Sequence, residues 1–101
     1  MEEITKHYLI SGRVQGVGFR AFTVRAASAL KLRGWVRNLR DGRVEAIAYG
    51  SKDRLVSFEG QLKSGPPHGQ VDSIVAKEIQ TPANLREFDT RKDGASPCSD
   101  S

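Results

Sequence analysis

Apolar side chains recur along this chain with a spacing of two in some segments and of three to four in others, and the switches between the two divide it into elements. Alternation through His7-Tyr8-Leu9-Ile10 predicts a first strand, which runs into the glycine-punctuated segment Gly12-Arg13-Val14-Gln15-Gly16-Val17-Gly18. Phe19, Phe22, Ala26, Ala27 and Leu30 then fall on one helical stripe, with Arg20, Arg25 and Lys31 largely off it. Two further strand-like runs, Gly34 to Leu39 and Arg43 to Tyr49, flank Asp41-Gly42, a dipeptide suited to the positive φ angles of a tight hairpin turn. Ser51 caps a second helix carrying Leu55, Phe58, Glu59 and Leu62, with Asp53 near its positive end, and Ser64-Gly65-Pro66-Pro67 stops it. Val71 to Ile79 reads as another strand and Phe88 to Arg91 as a short fifth one at a sheet edge.

That order is βαββαβ, two strand-helix-strand halves joined by a hairpin. It predicts a ferredoxin-like α+β sandwich, an antiparallel sheet with both helices on one face. Many functions share this architecture, so the site has to choose among them.

With 101 residues, 38% of them apolar, the chain is one domain with a core that needs no metal or disulfide. We place that domain at residues 1–91, and residues 92–101, rich in Gly, Ser, Pro and Asp, read as a disordered tail. Apolar runs such as Ala46-Ile47-Ala48-Tyr49 are far too short to span a membrane, and Met1-Glu2-Glu3 opens no secretory signal, so a cytoplasmic address is expected. The single cysteine, Cys98, excludes an internal disulfide framework and a cysteine-based metal cluster. Net charge is +4, unevenly spread: residues 13–43 hold eight basic side chains against one acid, Asp41, while the rest is net acidic. Either an anion docks there or the basic face serves solubility.

The loop before the first helix carries the chemistry. Glycines let successive backbone N–H groups converge on one point, and the helix start adds unpaired N–H groups and a positive dipole end. Arg20, in the helix's first turn, brings a planar guanidinium that matches phosphate oxygens. The segment is not a P-loop, since no Gly-Lys-Ser/Thr ending follows, and the G-x-G-x-x-G dinucleotide pattern is absent.

Taken together, GRVQGVGFR at 12–20, GWVRN at 34–38 and DGRVEA at 41–46 closely resemble the acylphosphatase family, over nearly the whole chain up to Phe88. The resemblance implies hydrolysis of a carboxyl-phosphate anhydride to a carboxylate and inorganic phosphate, without cofactor or metal. By the same resemblance Arg20 binds the substrate phosphate, Asn38 orients the attacking water, and the backbone N–H groups of Gln15, Gly16, Val17, Gly18 and Phe19 hold the phosphoryl oxygens. The expected partners are a small acyl phosphate and inorganic phosphate as product and inhibitor, with no nucleic acid, no membrane and a monomeric state. One departure stands out: family members commonly have glycine where this chain has Lys31, and a left-handed residue there would cost about 1 kcal/mol.

Other residues carry blander readings. Trp35 is expected in the core or the site wall, His7 and His68 exposed, and Arg37, Arg40 and Arg43 on a solvated hairpin edge. Two rivals share the fold. An RNA-recognition domain would need exposed aromatics on the third strand, where only Tyr49 is available. A non-catalytic anion sensor would keep the loop and Arg20 but have no need of Asn38.

Overall fold

The computed structural model describes residues 2–94. Its elements are β1 (Glu3–Arg13), α1 (Phe19–Ala29), β2 (Arg33–Asn38), β3 (Val44–Ser51), α2 (Lys52–Ser64), β4 (Gln70–Ile79) and β5 (Asp89–Thr90), in the sheet order β4-β1-β3-β2-β5. Alternation decides which side chains face the helices: Tyr8 and Ile10 of β1, Val36 of β2, and Val44, Ala46 and Ala48 of β3 form one buried cluster with Phe19, Ala26 and Ala27 of α1 and Leu55, Phe58 and Leu62 of α2. Both helices therefore cover the same sheet face, as the α+β sandwich requires.

The sheet is mixed rather than purely antiparallel. β1 pairs antiparallel with β3 and β4, and β2 antiparallel with β3, but β5 lies parallel to β2 through Trp35↔Asp89 and Val36↔Thr90. The reason is topological: β4 runs opposite to β2, and the chain after β4 crosses the end of the sheet once before returning along β2, so it arrives in β2's direction. Nor does the pairing stop at Arg91. Gly94 bridges Leu39, its N–H donating to Asn38 O at 2.9 Å and its carbonyl accepting from Arg40 N at 3.1 Å. The expected tail thus begins with three residues laid along β2, and its remainder, 95–101, falls outside the described residues.

Local chemistry sets the element ends. Ser51 caps α2 by accepting from Arg54 N at 3.3 Å, with Asp53 in the first turn and Lys63 in the last. On α1, Thr23 is fully buried within the apolar stripe because its hydroxyl donates to Phe19 O at 2.8 Å, while Phe22 is only half-buried at the stripe's flank. The β2–β3 hairpin closes through Leu39 N to Arg43 O at 2.8 Å and Gly42 N to Leu39 O at 3.2 Å, leaving Arg40, Asp41 and Gly42, with φ +95° at Gly42. This is the looser three-residue connection that ends in a left-handed glycine.

Candidate active site

The site is built where β1 and β2, parallel to each other across β3, both end. Val14, almost fully buried, plugs the loop after β1 into the core, and the chain then turns through Gly16 and Gly18 at φ +73° and +80°. A Cβ at either glycine would meet open space, so what these positions demand is the left-handed backbone and not room. Gly18 is the N-cap of α1 and offers no side-chain cap, and no acidic residue sits in the first turn. No backbone N–H from Gln15 through Phe19 donates to another described residue. A row of unpaired donors at a helix's positive end is what an anion binds to.

Gln15 uses its side chain differently from its backbone. Its carboxamide Nε2 donates to Leu39 O at 2.7 Å and Arg43 O at 2.9 Å, tying the loop to the neck of the hairpin. Loop and hairpin are thereby held in register. Asn38, the last residue of β2, stands beside that neck.

A cavity of about 340 Å³ joins these parts, lined by Val14, Gly16, Gly18, Phe19, Arg20, Ala21, Asn38 and Thr90. Of the residues expected to form the site, Gly16, Gly18, Phe19, Arg20 and Asn38 come together here; Gln15 and Val17 do not line the cavity. Sequence reasoning missed Val14, Ala21 and Thr90. Ala21 follows Arg20 in the first turn, and Thr90 belongs to the short edge strand, whose exposed residues leave no apolar signature.

The polar groups are of complementary kinds. Arg20 is 42% exposed in its side chain, and its Nη1 lies 3.4 Å from Asp93 Oδ1, a long contact that leaves the rest of the guanidinium unused. The Asn38 Oδ1 is buried with no hydrogen-bond partner among the described residues, an acceptor awaiting a donor. Donors thus come from the loop and Arg20 on one side, and an acceptor from Asn38 on the other.

Other candidates fall away from this point. A larger hollow of about 440 Å³ lies against Trp35 and Ile47, on the face the helices do not cover. Trp35 is neither core nor site wall: it is half-buried on that open face, with the guanidinium of Arg91 4.4 Å and that of Arg37 5.2 Å from its ring. His7 is not simply exposed but half-buried there, its Nε2 2.7 Å from Glu45 Oε2, whereas His68 is exposed as expected. Arg37 and Arg43 are paired instead of free on a solvated edge: Arg37 Nε donates to Glu45 Oε1 at 2.6 Å, and Arg43 pairs with Asp41 at 2.7 Å.

Comparison with known proteins agrees with the geometry. The sequence profile described as acylphosphatase matches residues 6–90. An acylphosphatase of Chlorobaculum tepidum is 48% identical over 88 residues, covering 87% of this chain and 96% of the relative. Among solved structures, acylphosphatase from Bacillus subtilis superposes with a TM-score of 0.83 at 39% identity, covering 87% of this chain and 98% of that one. That of Coxiella burnetii gives 0.82 at 37% identity, covering 88% and 93%.

Proposed function

The chain belongs to the acylphosphatase family, and from that premise we propose that the cavity between the loop, Arg20 and Asn38 is where it hydrolyses acyl phosphates. The observation carrying this reading is that Arg20 and Asn38, set on different elements, line one cavity with the unpaired loop amides, while the Asn38 carbonyl oxygen is buried and unpaired.

In this reading the phosphoryl group sits on the loop. Amides from Gln15 to Phe19 and the Arg20 guanidinium hold its oxygens, and they hold them more tightly as charge spreads onto them in a loose transition state. A water enters from the Asn38 side, donating a hydrogen bond to Oδ1, which aims its lone pair at phosphorus. The leaving group is a carboxylate whose conjugate acid has a pKa of about 4, so it departs without protonation. Asn38 is a neutral amide and takes no proton at neutral pH; the water's proton passes to a phosphoryl oxygen. Positioning and electrostatics thus supply the catalysis, and no acid–base pair is needed. A non-catalytic sensor would account for the loop and Arg20, but would give no role to Asn38, whose buried Oδ1 has no partner among the described residues. We further propose that residues 1–91 form the catalytic domain and that the protein works as a cytoplasmic monomer.

The test is phosphate release from benzoyl phosphate with excess chelator present. Wild type should turn over. Arg20→Gln should lose turnover and also relieve competitive inhibition by inorganic phosphate, whereas Asn38→Ala should lose turnover with that inhibition intact. Turnover near the wild-type rate in Asn38→Ala overturns the water-orienting role, and unchanged phosphate inhibition in Arg20→Gln overturns the binding role.

A further inference from the structure

The four residues that follow β5, Arg91 to Gly94, form a strap along β2 and reach both working residues. Arg91 N donates to Val36 O at 2.8 Å, and Gly94 N donates to Asn38 O at 2.9 Å. Between them, the Asp93 carboxylate lies 3.4 Å from Arg20 Nη1. Consecutive residues therefore hold the two halves of the site: Asp93 the guanidinium, Gly94 the backbone of Asn38.

The strap is itself anchored from the open sheet face. Glu45, largely buried at 8% side-chain exposure, fixes Arg37 through the Nε contact at 2.6 Å, and the Arg37 guanidinium lies against Gly94, where a Cβ would strike it. The GWVRN and DGRVEA segments each contribute one partner to this pair, which faces away from the cavity and takes no part in the chemistry assigned above.

We propose that this strap is a positioning element for the reaction, with Asp93 holding the Arg20 guanidinium toward the loop amides. The inference rests on the reading of Arg20 as the phosphate ligand. An arginine in the first turn of a helix, with 42% of its side chain exposed, samples many rotamers, and ordering it only on binding weakens affinity. Asp93 occupies a single edge of the guanidinium and leaves its remaining N–H donors for phosphate oxygens. Acting through Arg20, it should affect binding more than turnover.

The experiment compares wild type, Asp93→Asn and Asp93→Glu with benzoyl phosphate as substrate and inorganic phosphate as inhibitor. For a half-exposed ion pair, Asp93→Asn should raise KM and the phosphate inhibition constant together by about two- to fivefold, with kcat within about twofold of wild type. Asp93→Glu, which keeps the charge on a longer stem, should recover most of that loss. In an Arg20→Gln background Asp93→Asn should have no further effect. Unchanged constants in Asp93→Asn overturn the proposal, as does tighter phosphate binding, which would make Asp93 a competitor for Arg20; failure of Asp93→Glu to recover overturns the charge-mediated role. Arg20→Gln alone separates the two levels: if it leaves phosphate inhibition unchanged, the reading of Arg20 itself fails, whereas if it relieves inhibition while Asp93→Asn does nothing, the strap alone is refuted.

Discussion

Replacing Lys31 by glycine should stabilise the protein. α1 ends with Leu32 N donating to Ala27 O at 2.9 Å and Lys31 N donating to Ser28 O at 3.0 Å, the paired reversed bonds that require a left-handed residue between them. Lys31 supplies it at φ +56°, and the buried Leu32 then packs into the core beside the buried Ala27. A side chain in this conformation costs about 1–2 kcal/mol. Glycine avoids the cost but loses about 0.5–1 kcal/mol more backbone entropy on folding. Lysine also gains a few tenths of a kcal/mol, roughly, from the negative end of the helix. The balance centres on a gain of about 0.5 kcal/mol, which for a domain of this size raises Tm by roughly 2–4 °C. Urea unfolding at high salt, where the dipole contribution is screened, measures it cleanly: the midpoint should rise at constant m-value. Lys31→Ala keeps the strain and should show no such rise. Turnover should be unchanged, since Lys31 is at the opposite end of α1 from Arg20. A Lys31→Gly protein no more stable than wild type under these conditions, or a Lys31→Ala protein equally stabilised, refutes the strain argument.

Gln15→Ala removes both bonds from the loop to the hairpin neck and should cost about 1–2 kcal/mol of stability; it should also raise KM for benzoyl phosphate, and an unaltered KM would mean that the loop holds its shape without this tie. The Tyr8 phenol is held well above its ordinary value of 10.0 by burial, and then by Glu59, to whose Oε2 it donates at 2.7 Å. The folded state keeps a proton that the unfolded chain releases, so this contribution is complete below about pH 10 and is lost as pH rises beyond it. Tyr8→Phe should be less stable than wild type near neutrality and should show a shallower loss of stability above about pH 10 in urea titrations; parallel alkaline losses in the two proteins would contradict the assignment.

What could be read in advance follows from which interactions leave a trace in side-chain type. The four long strands and two helices are legible because burial on one face imposes a period, and Ser51 and Gly65 mark the ends of α2 with residues of the right chemistry. β5 is legible only as a short edge run at Phe88 to Arg91, and the strap leaves almost no trace: Asp89, Thr90, Arg91, Lys92 and Asp93 are all exposed, and backbone hydrogen bonds hold the segment to β2. Such bonds are indifferent to side-chain identity, so neither the parallel pairing nor the reach of the chain to Gly94 was visible. Glu45 was hidden for another reason. Its position in the alternation assigns it to the open face, where a carboxylate is unremarkable, and only the register Arg37↔Glu45 reveals that it is buried between the Arg37 guanidinium and the His7 imidazole. Within the site, glycine spacing and Arg20 point to an anion by themselves, but Asn38 came from family resemblance, because a single asparagine before a hairpin has a simple structural use.

The same cavity gathers features that would each be a defect elsewhere. Two backbone positions require the left-handed region, a helix begins without a cap, a row of amides lacks acceptors, and a buried carbonyl oxygen lacks a donor. A buried unpaired acceptor alone costs about 1–3 kcal/mol. Scattered through the fold, such groups would be unrelated penalties. Here the unpaired donors belong to the loop and the unpaired acceptor to Asn38 at the end of β2, and Gly16, Gly18, Phe19 and Asn38 line one volume. In the proposed reading a phosphoryl group would satisfy the first set and a water molecule the second, so that substrate and nucleophile together would complete the hydrogen bonding that the folded chain leaves open. The Gln15 tie and the Asp93–Gly94 strap bracket that volume: Gln15 joins the loop to the hairpin neck, while Asp93 and Gly94 contact the Arg20 guanidinium and the Asn38 backbone.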